Sequence, residues 1–272
     1  MATEFNPEDM YADDDMVITI SHLGYIKRTP LADFRQQGRG GVGAKASAAR
    51  DEDFIEYVHQ ANMHSTMMFF TEQGRLFWIK VYEIPEGNRQ SKGRALQNMI
   101  NIQKGDKVCA FIHVKNLNDQ EYVQNHYLIF ATKNGLMKKT TLESYSRPRA
   151  NGIIALGLRE DDRLIRVTLT DGNSQMLVAS YNGKVVRFPE DTVRPMGRTA
   201  TGVRAIKLDE DGQDRVIGMI CVEEGSKESV LVISEKGFGK RTDRDDENGE
   251  AIYRITNRGG KGVKTINITE KT

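Results

Sequence analysis

Short apolar runs recur along this chain, each answered by a turn and a basic run. Val17-Ile18-Thr19-Ile20, Met67-Met68-Phe69-Phe70, Leu128-Ile129-Phe130-Ala131, Met176-Leu177-Val178-Ala179 and Leu231-Val232-Ile233-Ser234 have the composition and length of β-strands. Each leads into a short turn and a glycine, through His22-Leu23 to Gly24 in the first repeat and through a polar pair to Gly74, Gly135, Gly183 or Gly237 in the others. Two of these turns are Asn-Gly, at 134–135 and 182–183, a dipeptide whose tolerance of positive φ makes it the strongest short hairpin signal. Return strands such as Lys184-Val185-Val186-Arg187-Phe188 alternate, which predicts bases on one face and apolar residues on the other. Further apolar runs at 108–114, 164–169 and 216–222 bring the count to about four strands per repeat, as in a propeller blade. One helix is compatible with the pattern, over 46–60, on a thin apolar face.

The turn glycines stand 50, 61, 48 and 54 residues apart, a period that specifies a circular or stacked array of small sheets. The fold class read from this is all-β, with five complete repeats over 17–64, 65–125, 126–174, 175–228 and 229–272. The loops repeat as well. A second glycine follows each turn at Gly43, Gly93, Gly152, Gly202 and Gly262, and four residues before it stands Arg39, Arg89, Arg198 or Arg258. The third repeat breaks step but has Arg147 and Arg149 nearby. Each unit thus delivers a cation to an equivalent place.

Charge changes the picture. The formal net charge is +1, yet residues 1–16 carry six acids and no base, leaving 39 bases against 32 acids in 17–272. Residues 1–16 read as a disordered acidic lead. Cys109 and Cys221 lie in apolar runs and read as buried thiols. The chain has no signal peptide and no apolar run of membrane length, so a cytoplasmic protein is expected.

The loop Gln36-Gln37-Gly38-Arg39-Gly40-Gly41-Val42-Gly43 contains Gly-x-Gly-x-x-Gly, but neither a preceding strand nor a following amphipathic helix makes it a dinucleotide fingerprint. Ala44 stands where a phosphate loop requires Lys. Its glycines let a backbone approach a polyanion closely, and Arg39 supplies charge and a fork of donors. This loop resembles the Gln-Arg-Arg-Gly-Gly-Lys-Gly box of the DNA gyrase A C-terminal domain. The resemblance extends to Gly24-Tyr25-Ile26-Lys27, Lys80-Val81-Tyr82-Glu83-Ile84-Pro85, Gly183 to Phe188, Thr201-Gly202-Val203-Arg204 and Gly237-Phe238-Gly239-Lys240-Arg241, and covers 17–272. Gly38 and Val42 depart from the box, where the family has Arg and Lys. The family usually has six units against the five counted here.

The resemblance implies a β-pinwheel, a propeller-like disc whose blades exchange strands. It implies sequence-nonspecific wrapping of double-stranded DNA around a basic rim, without cofactor or catalytic residue in this chain. In the full ATP-hydrolysing topoisomerase the partners would be the cleavage domain of the same polypeptide and the ATPase subunit, in a heterotetramer that supercoils DNA negatively. Candidate contacts are the box residues Gln36, Gln37, Arg39, Gly40, Gly41, Gly43 and Lys45, and the strand cations Lys27, Arg28, Lys138, Lys139, Lys184, Arg187, Lys240 and Arg241. The loop cations complete the set: Arg89, Lys92, Arg94, Arg147, Arg149, Arg198, Arg204, Arg258 and Lys261. The topoisomerase IV counterpart and a protein-interaction propeller are the alternatives.

Other sites fail on chemistry. The acidic run 209–214 begins like a calcium loop but has Asp214 where Gly is needed and Ile220 where Glu is needed. His22, His59, His64, His113 and His126 show no metal-ligand spacing. Trp78, between Phe77 and Ile79, reads as core rather than a stacking platform.

Overall fold

The computed structural model describes residues 6–34, 53–88, 90–226, 228–243 and 252–269. The strands run β1 (Asp15–Ser21), β2 (Tyr25–Pro30), β3 (Ile55–Asn62), β4 (Thr66–Thr71), β5 (Arg75–Lys80), β6 (Arg94–Ala95) and β7 (Val108–Val114). After a short helix α1 (Gln120–Asn125) come β8 (Tyr127–Thr132), β9 (Leu136–Thr141), β10 (Ile153–Ile154), β11 (Leu164–Thr170), β12 (Ser174–Ser180) and β13 (Lys184–Pro189). The last are β14 (Val203–Arg204), β15 (Val216–Glu223), β16 (Ser229–Ile233), β17 (Gly239–Asp243) and β18 (Val263–Lys264).

They form four four-stranded antiparallel sheets, ordered β3-β1-β2-β6, β7-β4-β5-β10, β11-β8-β9-β14 and β15-β12-β13-β18. In each, one edge strand comes from the next repeat, so neighbouring blades are tied by exchange. The fifth repeat carries a two-stranded hairpin, β16–β17, among the described residues. β11 packs against β7 and β15, which places those strands at the hub. The exchanged strands β6, β10, β14 and β18 occupy the opposite, outer edges.

The cores lie between blades, and strand periodicity explains why the runs are apolar throughout. Successive side chains point to opposite faces. Met67 and Phe69 pack with Met16, Ile18 and Ile20 toward blade one. Met68 and Phe70 pack with Leu128 and Phe130 toward blade three. The last core is small, with Leu177, Val185, Val222 and Tyr253, and beyond it Leu231, Ile233 and Phe238 are 61%, 62% and 55% exposed.

One expectation is corrected. Residues 55–60 of the expected helix are strand β3, because their partners on β1 alternate in step with them; residues 53–54 are irregular, and 46–52 lie outside the described residues. The acidic lead, expected to be disordered, is mostly exposed over residues 6–15 but makes specific contacts with the second blade. Pro7–Met10 form a 3-10 turn, Glu8 pairs with Lys80, Tyr11 stacks on Tyr82 at 5.1 Å, and Asp13 accepts from the His64 N–H. Composition registered the acids but not the aromatic and cationic partners waiting on the second blade.

Candidate nucleic-acid interface

The repeated second glycine is explained by exchange. Gly93, Gly152, Gly202 and Gly262 all have positive φ. A Cβ on any of them would lie 2.3–2.7 Å from a carbonyl of the preceding blade: Ile26, Leu76, Met137 or Val185. The residue must therefore be Gly for the exchanged strand to dock. The close approach at these positions is to the protein's own backbone.

The strand cations are the main correction. Lys27, Arg28, Lys138, Lys139 and Arg187 are 1%, 7%, 0%, 4% and 5% exposed. They turn inward, onto the loops arriving from the next repeat. Arg28 Nε donates to Ile84 O at 2.7 Å, and its Nη1 meets Glu86 Oε2 at 2.7 Å. Arg187 Nη1 donates to Tyr253 O. Lys139 Nζ lies 3.0 Å from the buried Glu190, whose carboxylate also accepts from Thr170 Oγ1 and Ser174 N. In each case the arriving loop meets the cation in a parallel bridge: Glu86 with Arg28, Pro195 with Lys139, Ile255 with Arg187. Trp78 holds the same register in blade two, packs against the core and donates Nε1–H to Tyr145 O. A lone indole N–H and three cations thus do one job: they satisfy oxygens that the arriving loop buries.

Lys27 and Lys138 sit one position earlier. Lys27 Nζ donates to Asn88 O at 2.9 Å and Ser91 O at 3.0 Å. Lys138 Nζ donates to Tyr145 Oη, to Ala155 O at 2.7 Å and to Arg198 O. It also lies 4.8 Å from the centre of the Phe130 ring. Burial first, and the nearby Arg198 charge second, lower its pKa to about 7; burial also lowers that of Lys27.

The remaining candidates divide clearly. Lys92, Arg94, Arg147, Arg149, Arg204 and Lys261 are exposed on the exchanged strands or the loops leading into them. Lys240 and Arg241 are exposed on β17. Lys184 is half-buried and paired with Asp209. Arg198 and Arg258 are half-buried and equivalent: their Nη1 atoms donate to Ile154 O and Arg204 O, each the last residue of a two-residue exchanged strand. The loop arginine therefore laces one exchanged segment to the next while keeping further N–H groups available. Gln36, Gln37, Arg39, Gly40, Gly41, Gly43, Lys45 and Arg89 lie outside the described residues.

Sequence reasoning missed Arg194, Lys207, Arg254 and Lys264, all exposed beside the exchanged strands. It also missed an aspartate peg. Asp53, Asp106, Asp162 and Asp214 each accept from a turn N–H (Leu23, Gln73, Asn134, Asn182) and from the next residue's N–H. The calcium-like run 209–214 is part of this device, since Asp214 also accepts from Asp209 N. Burial pushes the Cys109 thiol up to about 12 and Cys221 to about 11, and both are unpaired thiols. Among the described residues no group of three or more His, Cys, Asp or Glu could hold a metal ion. No helix among them is long and apolar enough to cross a membrane.

Strand exchange at every described junction and an outer edge studded with cations define a β-pinwheel. A family model described as "DNA gyrase C-terminal domain, beta-propeller" matches five times, over 15–62, 65–115, 126–171, 175–223 and 228–271. The chain belongs to that family. The DNA gyrase A protein of Staphylococcus aureus (strain NCTC 8325 / PS 47) is 42% identical over 268 residues, 98% of this chain and 29% of that protein. Its Staphylococcus epidermidis (strain ATCC 12228 / FDA PCI 1200) counterpart gives the same figures. The chain thus spans less than a third of these relatives. A crystal structure of the C-terminal domain of DNA topoisomerase IV superposes with a TM-score of 0.73 at 25% identity, covering 94% of this chain and 73% of that one. A DNA gyrase A C-terminal domain superposes at 0.71 and 22% identity, covering 95% and 80%, and supports the fold alone.

Proposed function

We propose that this chain binds duplex DNA without sequence preference and bends it around the outer edge of the pinwheel, through the exchanged strands and their loops. One observation carries the reading. Every four-stranded blade presents exposed cations at its exchanged edge: Lys92 and Arg94, Arg147 and Arg149, Arg204 with Arg194, and Lys261 with Lys264. Cations spaced along one perimeter suit a phosphate backbone, whose contacts position a protein without reading sequence. Within a gyrase, such a domain would act beside the cleavage domain of the same polypeptide and the ATPase subunit, guiding the wrapped segment during ATP-dependent negative supercoiling. The box residues 36–45 are proposed to extend the path from the first repeat.

Affinity against salt tests this. Neutralising six to ten phosphates gives a slope of log affinity against log salt of about −5 to −9. End-to-end fluorescence transfer on a short duplex should report bending in the same titration. A slope near zero, or affinity confined to one sequence, contradicts the reading.

A further inference from the structure

Lys27 and Lys138 differ from Lys139. Where Lys139 faces the Glu190 carboxylate, their ammonium groups donate to loop carbonyls of the following repeat, Lys27 to Asn88 O and Ser91 O and Lys138 to Arg198 O, with Ala155 O of its own repeat as a further acceptor for Lys138. Those loops are the ones bearing the recurring arginine. Asn88 and Ser91 flank Arg89 on either side, and one carbonyl held by Lys138 belongs to Arg198 itself. Phe77 and Val186 occupy the same strand position in blades two and four, so the loops carrying Arg147 with Arg149 and Arg258 receive no ammonium there. Burying an ammonium is costly, and an apolar residue at this position packs well in the alternate blades. The cost is met where an arginine loop is pinned from beneath. A second tie acts on Arg198 from outside, through its Nη1 on Ile154 O. Between the two, the backbone of Arg198 is fixed while its other N–H groups remain available.

We infer that Lys27 and Lys138 are positioning residues for DNA, buried clamps that hold the Asn88–Ser91 loop through the backbone of those two residues, and the Arg198 loop at the perimeter, while the alternate loops are left to adapt. This rests on the DNA-binding reading above. Tyr145 Oη, which donates to Ala155 O and meets Lys138 Nζ, completes the Lys138 clamp. Preorganised phosphate contacts bind more tightly because less ordering remains to be done on association.

The test is a set of variants in the full chain: Lys138→Met, Arg198→Ala, Arg258→Ala, and Lys138→Met combined with each arginine change. Native-state amide exchange comes first. Lys138→Met should speed exchange at 197–202 and leave 257–262 unchanged; equal exchange in both loops overturns the clamp whether or not DNA binds. In DNA titrations Lys138→Met should lose affinity by the same factor as Arg198→Ala, within about twofold. Adding Arg198→Ala to it should cost little more, whereas adding Arg258→Ala should cost its full factor. A general loss of structure would weaken both pairs alike and so overturn the clamp. If Lys138→Met keeps parental affinity while Arg198→Ala lowers it, the positioning role is wrong. If Lys138→Met does not fold, Lys27→Met carries the same test, with faster exchange expected at 87–93 alone. Parental chain that shows no salt-dependent DNA binding sinks the functional reading, and the exchange experiment still decides the clamp.

Discussion

Within a single repeat, the cations of the return strand and those of the loop behind it look alike in sequence and have opposite fates. Lys138, Lys139 and Arg187 are closed inside the disc, each engaged by backbone or carboxylate oxygen. Arg147, Arg149, Arg204 and Lys261 stand in solvent at the exchanged edge. The first group holds the array together and the second gives it a surface. Recurrence selects both equally, because a tie between repeats must recur as faithfully as a contact with a long polymer.

The comparison breaks most violently at the Lys139–Glu190 pair. Glu190→Gln leaves a buried ammonium without its counter-charge and should destabilise the chain by about 3–5 kcal/mol. Urea unfolding checks it, and a loss below about 1 kcal/mol would mean the pair is solvated. The docking glycine comes next. Gly202→Ala places a Cβ 2.3 Å from Met137 O at a φ of +98°, so a loss well above about 1 kcal/mol is expected in the same assay.

Lys138 supplies a pH dependence of definite sign. Its folded pKa is about 7 against 10.5 for the free side chain, so between those values the unfolded chain binds a proton that the folded chain does not. Stability therefore rises with pH across that window, and the rise is absent below it. The parent minus Lys138→Met difference, measured by urea unfolding from pH 6 to 10, should show that rise. A flat difference would show Lys138 keeping its ordinary pKa. The smallest stability effect belongs to the edge. Lys92→Ala with Arg94→Ala should stay within about 0.5 kcal/mol of the parent. It should also flatten the salt dependence of DNA binding by about one unit for each phosphate no longer neutralised.

Most of the fold was legible. The runs at 108–114, 164–169 and 216–222 are the hub strands β7, β11 and β15, legible because β-branched and other apolar residues dominate each of them, although only β7 is buried along nearly its whole length. The turn glycines were legible for the same local reason. Exchanged strands were not: two residues such as Ile153–Ile154 carry no periodicity, and only a distant partner makes them strands. Arg187 was placed outside with Lys184 although residues three apart on a strand face opposite ways, and the loop that covers it, at Tyr253, lies 66 residues away. The aspartate pegs at 53, 106, 162 and 214 were within reach, since they repeat at nearly the period of the glycines.

The central claim is that exposed edge cations meet DNA and the buried return-strand cations do not. Its most direct test is the slope of log affinity against log salt for three chains, all checked to be folded. These are the parent, a loop variant with Lys92, Arg94, Arg147 and Arg149 changed to Ala, and a strand variant with Lys139→Met and Glu190→Gln together. The loop variant should have a slope shallower by about 3–4, and the strand variant the parental slope. A parental slope in the loop variant, with flattening in the strand variant, would contradict the account.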